Sequence, residues 1–474
     1  MDVIQPKYSQ TSLDAEFQKF FFISEALNGS GGFSPLVMSS ESGVASITGP
    51  THLIKYPRES QEKFARRNQL AWYRNFIQPA CSRFIGYLSK KPPMRTITNP
   101  LLDSVVEDCD WRGNGIDVFW HSFGIEAKAR GTMLLLIDMP KLIPPTQGQQ
   151  IQDRAVPYFA SIEPEKVMAY ETNPRGLLTR IAFNDVYRVD TQVEIVWRVF
   201  TETEWWIQKP GVMDDPSLRY ESGVHNLGVC PVLIFSESGE FPYVGTFAQI
   251  ADLSRRYFNA ASERDEILRS QTFSLLTYQV PPEQINFEPG EVAEAIGTHN
   301  MLVHRGDGPA FIAPPDGPAT IYGEVLNQLE ETIRRIALTV EQPSQAESGV
   351  ALTIRFQELN SSLTSFARRM EDLERRAWDI VCRWLGVENT TEVVWAKSFE
   401  LADLGAEMTT LQNMQSAGFP AEVIREAMKN ITQLQFSTLQ PQELDQLMMA
   451  IDNGASEVKP APGQPQDQNS NPIA

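Results

Sequence analysis

From residue 352 to residue 384 the apolar side chains fall at Leu352, Phe356, Leu359, Leu363, Phe366, Met370, Leu373, Ala377, Ile380 and Trp384, in steps that alternate between four and three. That alternation keeps one apolar seam on a single helix face over many turns. A helix over residues 350–385 is about 54 Å long at 1.5 Å per residue, so it needs long partners. The chain must supply a large core, and 474 residues, 42% of them hydrophobic, suffice for one.

Two further long helices are predicted. One covers residues 247–271, with Phe247, Ile250, Leu253, Tyr257, Ala261 and Leu268 on its apolar side; the other covers 322–340. Between them lies a stretch punctuated by Pro and Gly, residues 280–318, too broken for long elements. Upstream, a short helix is expected over 12–27, capped by Ser12 and stopped by Gly29, then a flexible Gly/Ser-rich arm over 28–49. Residues 57–89 read as helical until Lys90-Lys91-Pro92-Pro93. Residues 114–130 read as a second helix, leading through Gly131 into a strand, 133–137, buried on both faces.

Residues 157–235 carry strand patterns at 181–183, 193–200, 205–207 and 232–235, read as one mixed, mainly β layer. A returning strand is expected at 393–395 and short helices over 401–450, broken at Gly418-Phe419-Pro420; the end from 453 is rich in Pro, Gln and Asn and reads as disordered. The fold class is α+β.

Sixty acidic against 41 basic residues give a net charge of −19, so the whole chain is no electrostatic clamp on DNA. Cys81, Cys109, Cys230 and Cys382 form no C-x-x-C pair, which excludes a zinc ribbon or dithiol site and points to a reducing compartment. Phe20-Phe21-Phe22-Ile23 is too short, and follows Asp14 and Glu16, so it is not a signal peptide; no stretch has the length of a membrane span. The expectation is a soluble protein made inside the cell.

Chemistry is hard to place. No G-x-x-x-x-G-K-[ST], H-E-x-x-H or G-x-S-x-G string occurs. Gly29-Ser30-Gly31-Gly32 lacks the strand and lysine of a phosphate loop. His299 and His304 are close in sequence but have no further ligand at metal spacing. Adjacent carboxylates such as Asp214-Asp215 and Glu330-Glu331 point different ways on a regular element and read as solvated surface. The pairs Arg255-Arg256, Arg334-Arg335, Arg368-Arg369 and Arg375-Arg376 fall on predicted helices, where they either pair with nearby acids or contact phosphate. No cofactor and no metal is implied. Ordered elements without a catalytic constellation point to an assembly component rather than an enzyme.

Several strings succeed one another along the chain: Tyr56-Pro-Arg-Glu59, Arg67-Asn-Gln-Leu-Ala-Trp-Tyr-Arg-Asn-Phe-Ile77, Gly86, Lys91-Pro92, Asp110-Trp-Arg-Gly-Asn-Gly-Ile-Asp-Val-Phe119, Gly131 and Leu136-Ile-Asp-Met-Pro140. They continue with His225-Asn-Leu-Gly-Val-Cys-Pro231, residues 250–256, Ser262-Glu-Arg-Asp265, Arg335-Ile-Ala-Leu-Thr339 and Glu347-Ser-Gly-Val-Ala351. In order and spacing, this set resembles the portal proteins of tailed bacteriophages.

The resemblance implies a ring, typically of twelve subunits, at one capsid vertex. Such a ring conducts double-stranded DNA in packaging and ejection, contacts the major capsid protein, and docks first the large terminase and then a head-tail adaptor. It implies a wing at residues 51–244 and 350–399, stem helices at 245–271 and 322–340, a small α/β clip at 272–321, a tunnel loop at 341–349 and a helical crown at 400–458. The segments 1–50 (helix and flexible arm) and 459–474 (disordered tail) match no family pattern. On the same basis Gln342, Ser344, Gln345, Glu347 and Ser348 would face the channel, while the stem residues Arg255, Arg256, Arg264, Arg269, Arg334 and Arg335 would face the lumen or a neighbouring subunit. The place implied is the virion, reached from the bacterial cytoplasm without a membrane. A ring-free adaptor and a nuclease or transferase with a dispersed active site are the rival readings.

Charge distribution suits a channel on separate grounds. DNA cannot slide past a wall that neutralises many phosphates, because each contact adds a steep, salt-dependent affinity term. Residues 272–321 carry Glu283, Glu288, Glu291, Glu294, Asp307 and Asp316 against Arg305, and residues 386–474 carry twelve acids against four bases. Repulsion that decays over roughly 8 Å centres a duplex without closing the pore.

Overall fold

In the computed structural model, residues 349–385 form one uninterrupted 37-residue helix. The structure describes residues 14–34, 37–39, 46–48, 52–189, 192–212, 215–272, 275–279, 301–304, 310–312, 317–338, 349–397, 399, 404–435 and 441–453. They belong to two units, residues 1–399 and 400–474.

In the first unit, α1 (Asp14–Asn28) precedes a short hairpin of β1 (Val37–Ser39) and β2 (Ser46–Thr48). Next come α2 (Gln61–Leu70), α3 (Ile77–Leu88), β3 (Met94–Thr96), α4 (Pro100–Glu107), α5 (Ile116–Arg130), β4 (Thr132–Asp138), α6 (Gln147–Gln152) and β5 (Tyr158–Ile162). The strands β6 (Val167–Thr172), β7 (Leu178–Val189), β8 (Gln192–Thr201), β9 (Glu204–Gln208), β10 (Arg219–Val224) and β11 (Val232–Ser236) come after these. Then α7 (Ala248–Thr272), β12 (Leu275–Gln279), β13 (Met301–His304), β14 (Ala310–Ile312), α8 (Gly317–Ile336), α9 (Gly349–Leu385) and β15 (Glu392–Val394) complete the unit. The second unit contains α10 (Leu404–Ser416), α11 (Ala421–Gln435) and α12 (Pro441–Asn453); Gly418, at φ +73°, separates the first two.

The seam of α9 is the centre of the core. Leu359, Leu363, Phe366, Met370, Leu373, Ala377 and Ile380 are all buried, each contributing about 1.5–3 kcal/mol if large and aliphatic or aromatic. The Phe366 ring lies 5.6 Å from Phe84 on α3 and 5.2 Å from Phe235 on β11. Near the far end of α9, Trp384 Nε1 donates to the Ile137 carbonyl at 3.0 Å. β4 is sandwiched as its apolar run requires, its first six residues being buried.

Four expectations need correction. The β region is not one layer: β11–β4–β5 form a three-stranded antiparallel sheet and β10–β9–β8–β7–β6 a five-stranded one. Residues 57–89 are two helices, because Pro79 lacks an N–H and would crowd the carbonyl four residues before it, a position tolerated only in a first turn; α3 therefore restarts at Ile77. The expected flexible arm begins with a buried turn, Gly31–Phe33, whose Phe33 ring lies 4.1 Å from Tyr73 and 4.5 Å from His52. The helix expected over residues 322–340 starts at Gly317 and ends at Ile336, earlier than predicted at both ends. In addition, α4 has no counterpart in the sequence reading, although Asn99 accepting from Leu101 N and Pro100 at the first helical position are a readable start signal.

The turn from α5 into β4 depends on a glycine. Gly131 sits at φ +83°, and a Cβ there would lie 2.2 Å from Gly245 N. Gly245 N donates to the Arg130 carbonyl at 2.8 Å, and Glu237 N to the Gly131 carbonyl at 3.0 Å. The approach of two backbones leaves no room for any side chain.

Candidate functional site

α7 leaves this core as a 25-residue helix, roughly 37 Å long. α8 returns antiparallel to it: Tyr257 Oη donates to Glu330 Oε1 at 3.0 Å, and Tyr322 lies in the field of Glu263. Tyr257, Ala261, Leu326 and Leu329 form their shared apolar contact. Between the two helices β12 pairs with β13 in parallel and with β14 antiparallel, so the pair brackets a small sheet.

Charged side chains fasten the base of this pair. Arg67 on α2, 2% exposed, donates twice to Glu59, at 2.9 and 2.8 Å, and once to the Ile54 carbonyl at 2.7 Å. Its Nη1 lies 3.3 Å from Glu263 on α7, and its plane lies 5.2 Å from the Tyr56 ring centre. Asn259 on α7 accepts from Ile54 N at 2.8 Å and donates to the His52 carbonyl at 2.9 Å. Arg74 pairs with Glu330 and donates to Tyr257 Oη at 3.2 Å.

The two carboxylates on Arg67 differ. Burial works against ionised Glu59, but hydrogen bonds from Arg67 and Tyr56 N prevail and hold its carboxyl below the usual glutamate range. Burial pushes the Glu263 carboxyl up, and the attraction of Arg67 offsets this only in part. Burial and the Glu263 charge also raise the Tyr56 hydroxyl. Three of the strings quoted above, Tyr56 to Glu59, the one that opens at Arg67, and Ser262 to Asp265, thus meet at one joint.

The six arginines singled out on α7 and α8 divide. Arg264 pairs with Asp265 at 3.2 Å and Arg269 with Glu266 at 3.4 Å. Arg334 pairs with Glu330 at 3.4 Å and Arg335 with Glu331 at 3.3 Å, one helical turn apart. Arg255 lies 5.1 Å over the Phe22 ring of α1, and Arg256 is exposed. Arg334 and Arg335 are thus ion-paired within their own helix while staying exposed to solvent, and exposed pairs of this kind are worth about 0–1 kcal/mol. Glu330 turns toward Tyr257 and its neighbour Glu331 turns outward, so adjacent carboxylates diverge as their helix requires.

Gln342, Ser344, Gln345, Glu347 and Ser348 lie outside the described residues, as do Glu283, Glu288, Glu291, Glu294, Asp307, Asp316 and His299. His304 ends β13 opposite Gln279. Among the described residues no three His, Cys, Asp or Glu side chains gather as a metal set, and no helix is long and apolar enough to cross a membrane. All four cysteines are free and buried, and burial raises the thiols of Cys109 and Cys230 to about 12.

Sequence reasoning missed the buried ion pairs. Arg130 donates to Glu165 at 3.0 and 2.7 Å. Glu374, fully buried, holds Arg95 at 2.5 Å and accepts from Trp395 Nε1 at 2.8 Å. Lys128 reaches Glu237 at 2.9 Å and lies 4.4 Å from each of the Phe84 and Phe247 ring centres. Partners so far apart in sequence leave no local pattern to read.

No family model and no curated protein matches the chain. Among solved structures, the fold is similar to that of a chain in the virion of the native gene transfer agent particle, at 13% identity over 73% of this chain and 87% of that one, with a TM-score of 0.40. It is also similar to chains in the neck of the empty particle, computed with C6 symmetry (11% identity, TM-score 0.41), and of the native particle, computed with C12 symmetry (12% identity, TM-score 0.41), with the same coverage.

Proposed function

We propose that copies of this chain close into a ring, twelve in the typical case, at one vertex of a phage-like capsid, and that double-stranded DNA passes through the bore. The observation that carries this reading is the antiparallel pair α7 and α8, which brackets a small sheet, is fastened at its base by Arg67, and is followed directly in sequence by the core helix α9. In this reading residues 245–271 and 322–340 are the stem, 272–321 the clip, 341–349 a tunnel loop and 400–458 a crown. The wing is 51–244 with 350–399.

The acidic clip and C-terminal segments support a passage that repels DNA phosphates instead of holding them. Gln342, Ser344, Gln345, Glu347 and Ser348 offer short polar contacts that exchange readily as the duplex slides. Arg256, exposed on α7, is free to face the lumen or a neighbouring copy. The partners are further copies of the chain, DNA, the major capsid protein, the large terminase and later a head-tail adaptor. The role is non-enzymatic and the location is the virion.

The test is packaging. Gln345→Arg or Ser348→Arg should leave assembly intact and lower the yield of particles that retain full-length DNA. Normal yields from both variants would remove residues 341–349 from the channel.

A further inference from the structure

One tenth of the chain is charged unlike the rest. Residues 51–100 carry ten basic residues against Glu59 and Glu62, a net of +8, while the other 424 residues carry 31 basic against 58 acidic, a net of −27. Between Glu62 and Asp103 there is no carboxylate at all. A chain that keeps acids out of one stretch and accumulates them elsewhere has segregated its charge, and a basic tract of this kind is the electrostatic footprint of a polyanion.

The fold occupies three of these cations. Arg67 is held by Glu59 and Glu263, Arg74 pairs with Glu330, and Arg95 pairs with Glu374 and Asp117. Six others stay available: Lys55, Arg58, Arg66, Arg83 and Lys90 are exposed, and Lys63 is half-buried. None of the six forms an ion pair among the described residues; Lys55 donates to the neutral Gln61 at 2.9 Å, and Lys90 lies 4.7 Å from the Tyr87 ring centre. Four of them fall between residues 55 and 66, on and just before the first turns of α2, whose N-terminus adds a partial positive charge. Arg83 lies on the outer face of α3 and Lys90 just past its end. Between those two, Gly86 has open space where a Cβ would be, so a partner can approach the backbone.

The excess survives when paired acids are counted. Asn259 of α7 accepts from Ile54 N, which brings the stretch of α7 with Asp252, Arg255 and Arg256 beside Lys55. The four cations at α2, with Arg67, Arg255 and Arg256, then face Glu59, Glu62, Asp252 and Glu263, a net of +3. Counting Glu41 as well, which lies outside the described residues, leaves +2. α3 itself contributes no acid to offset Arg83. The acidic remainder of the chain weakens this field little, because exposed charges farther apart than roughly 8 Å are screened at physiological salt.

We infer that these outward cations form a contact surface for the phosphate backbone of double-stranded DNA. Two features favour DNA over an acidic protein. A duplex presents one charge per roughly 1.7 Å, so it meets cations at any spacing, whereas a protein must place one carboxylate opposite each. The exposed faces that carry the cations otherwise show Gln61, Gln69 and Gln78, not the apolar anchors that centre a protein contact. Leu70 and Trp72, exposed on the link from α2 to α3, are the side chains a protein partner would use, and the experiment includes one of them. The inference goes beyond the ring reading and does not need it, since the surface lies within one copy. Where the bore is proposed to let a duplex slide, this surface holds it, without reading its sequence.

The experiment is fluorescence anisotropy of a labelled 30-base-pair duplex with the full chain, titrated at salt concentrations from about 50 to 200 mM, the range over which phosphate contacts are lost. Six contacts predict a slope of log K against log salt of about −5. Arg58→Gln, Lys63→Gln and Arg66→Gln combined should bring it to about −3 and lower affinity at least tenfold at the low-salt end. A control that removes the same total charge from exposed positions elsewhere, Arg112→Gln, Arg175→Gln and Arg188→Gln combined, should stay within threefold of wild type. Arg83→Gln with Lys90→Gln should lower the slope by about 2 on its own, which keeps the test open if the first variant does not fold, as judged by its melting curve. Trp72→Ala should bind within twofold of wild type, and duplexes of unrelated sequence should bind alike. The inference is overturned if wild type binds no duplex at low salt, if the combined variant keeps the wild-type slope, if the control falls as far as the variant, or if Trp72→Ala loses binding tenfold. It is also overturned if the combined variant binds duplex like wild type but loses self-association without DNA, which would assign the surface to a protein contact. Because binding by a single copy suffices, failure of ring closure leaves this result readable.

Discussion

α9 and α8 are both amphipathic, yet they place their apolar side chains differently. α9 buries its seam from Leu359 to Ile380 between α3, β4 and β11. α8 buries Leu326, Leu329 and Ile333, and turns Glu324, Glu331 and Arg335 toward solvent. Charge obeys the same division: Glu374 on α9 is sealed between Arg95 and Trp395, whereas Arg335 on α8 is 80% exposed beside Glu331. One helix completes the fold within the chain. The other leaves a long polar face to solvent, so the two helices divide burial and exposure between them.

The contrast breaks first at α9. Phe366→Asp puts an unpaired charge against Phe84 and Phe235, a cost of about 5 kcal/mol or more, comparable to the whole stability of a domain. The expected result is loss of the cooperative melt seen by circular dichroism; an unchanged profile would mean that the seam is not buried.

Leu329→Ala should cost about 2–3 kcal/mol, felt mainly in the α7–α8 pair because Leu329 belongs to a small apolar cluster of its own with Tyr257, Ala261 and Leu326, edged by Phe76, Leu253 and Ala260. Hydrogen exchange should quicken in α7 and α8 while α9 stays protected. Equal loss of protection in α9 would show that the two regions are one cooperative unit.

The joint at Arg67 sharpens the comparison through pH. Because the Glu59 carboxyl is lowered in the folded chain, its ionised form stabilises at neutral pH and this is lost as pH falls through the folded value. Glu263 has the opposite sign: its carboxyl is raised, the folded state holds that proton more tightly, and stability falls as pH rises past the ordinary value of 4.5. Urea midpoints at pH 7 should therefore drop for Glu59→Gln and rise for Glu263→Gln, and the Glu263→Gln curve should converge on wild type at pH 4. Shifts of the same sign in both variants would refute the division of roles. The smallest effect belongs to Glu331→Gln, which should change stability by less than about 0.5 kcal/mol.

How much of the molecule is legible in the sequence depends on the range of each interaction. The span of α9 is legible because its 4–3 spacing is local, and Gly131 because a helix running into an apolar strand needs a left-handed stop. The restart of α3 has a local signal too, at Pro79, but the apolar bulk on either side of it masks the break. The Arg67 joint is not legible: Glu59 lies within eight residues, but Glu263 is brought to it only by the fold. The exposure of Leu142, Val186 and Ile195 stays hidden for another reason, since apolar residues read as core until the fold shows otherwise.

Ring closure is the claim on which the functional account stands, and single-particle imaging of the purified chain addresses it most directly. The account predicts axial views with a central hole and a mass near twelve times 53.3 kDa. Particles of 53.3 kDa with no bore, at every concentration and salt tried, would contradict it.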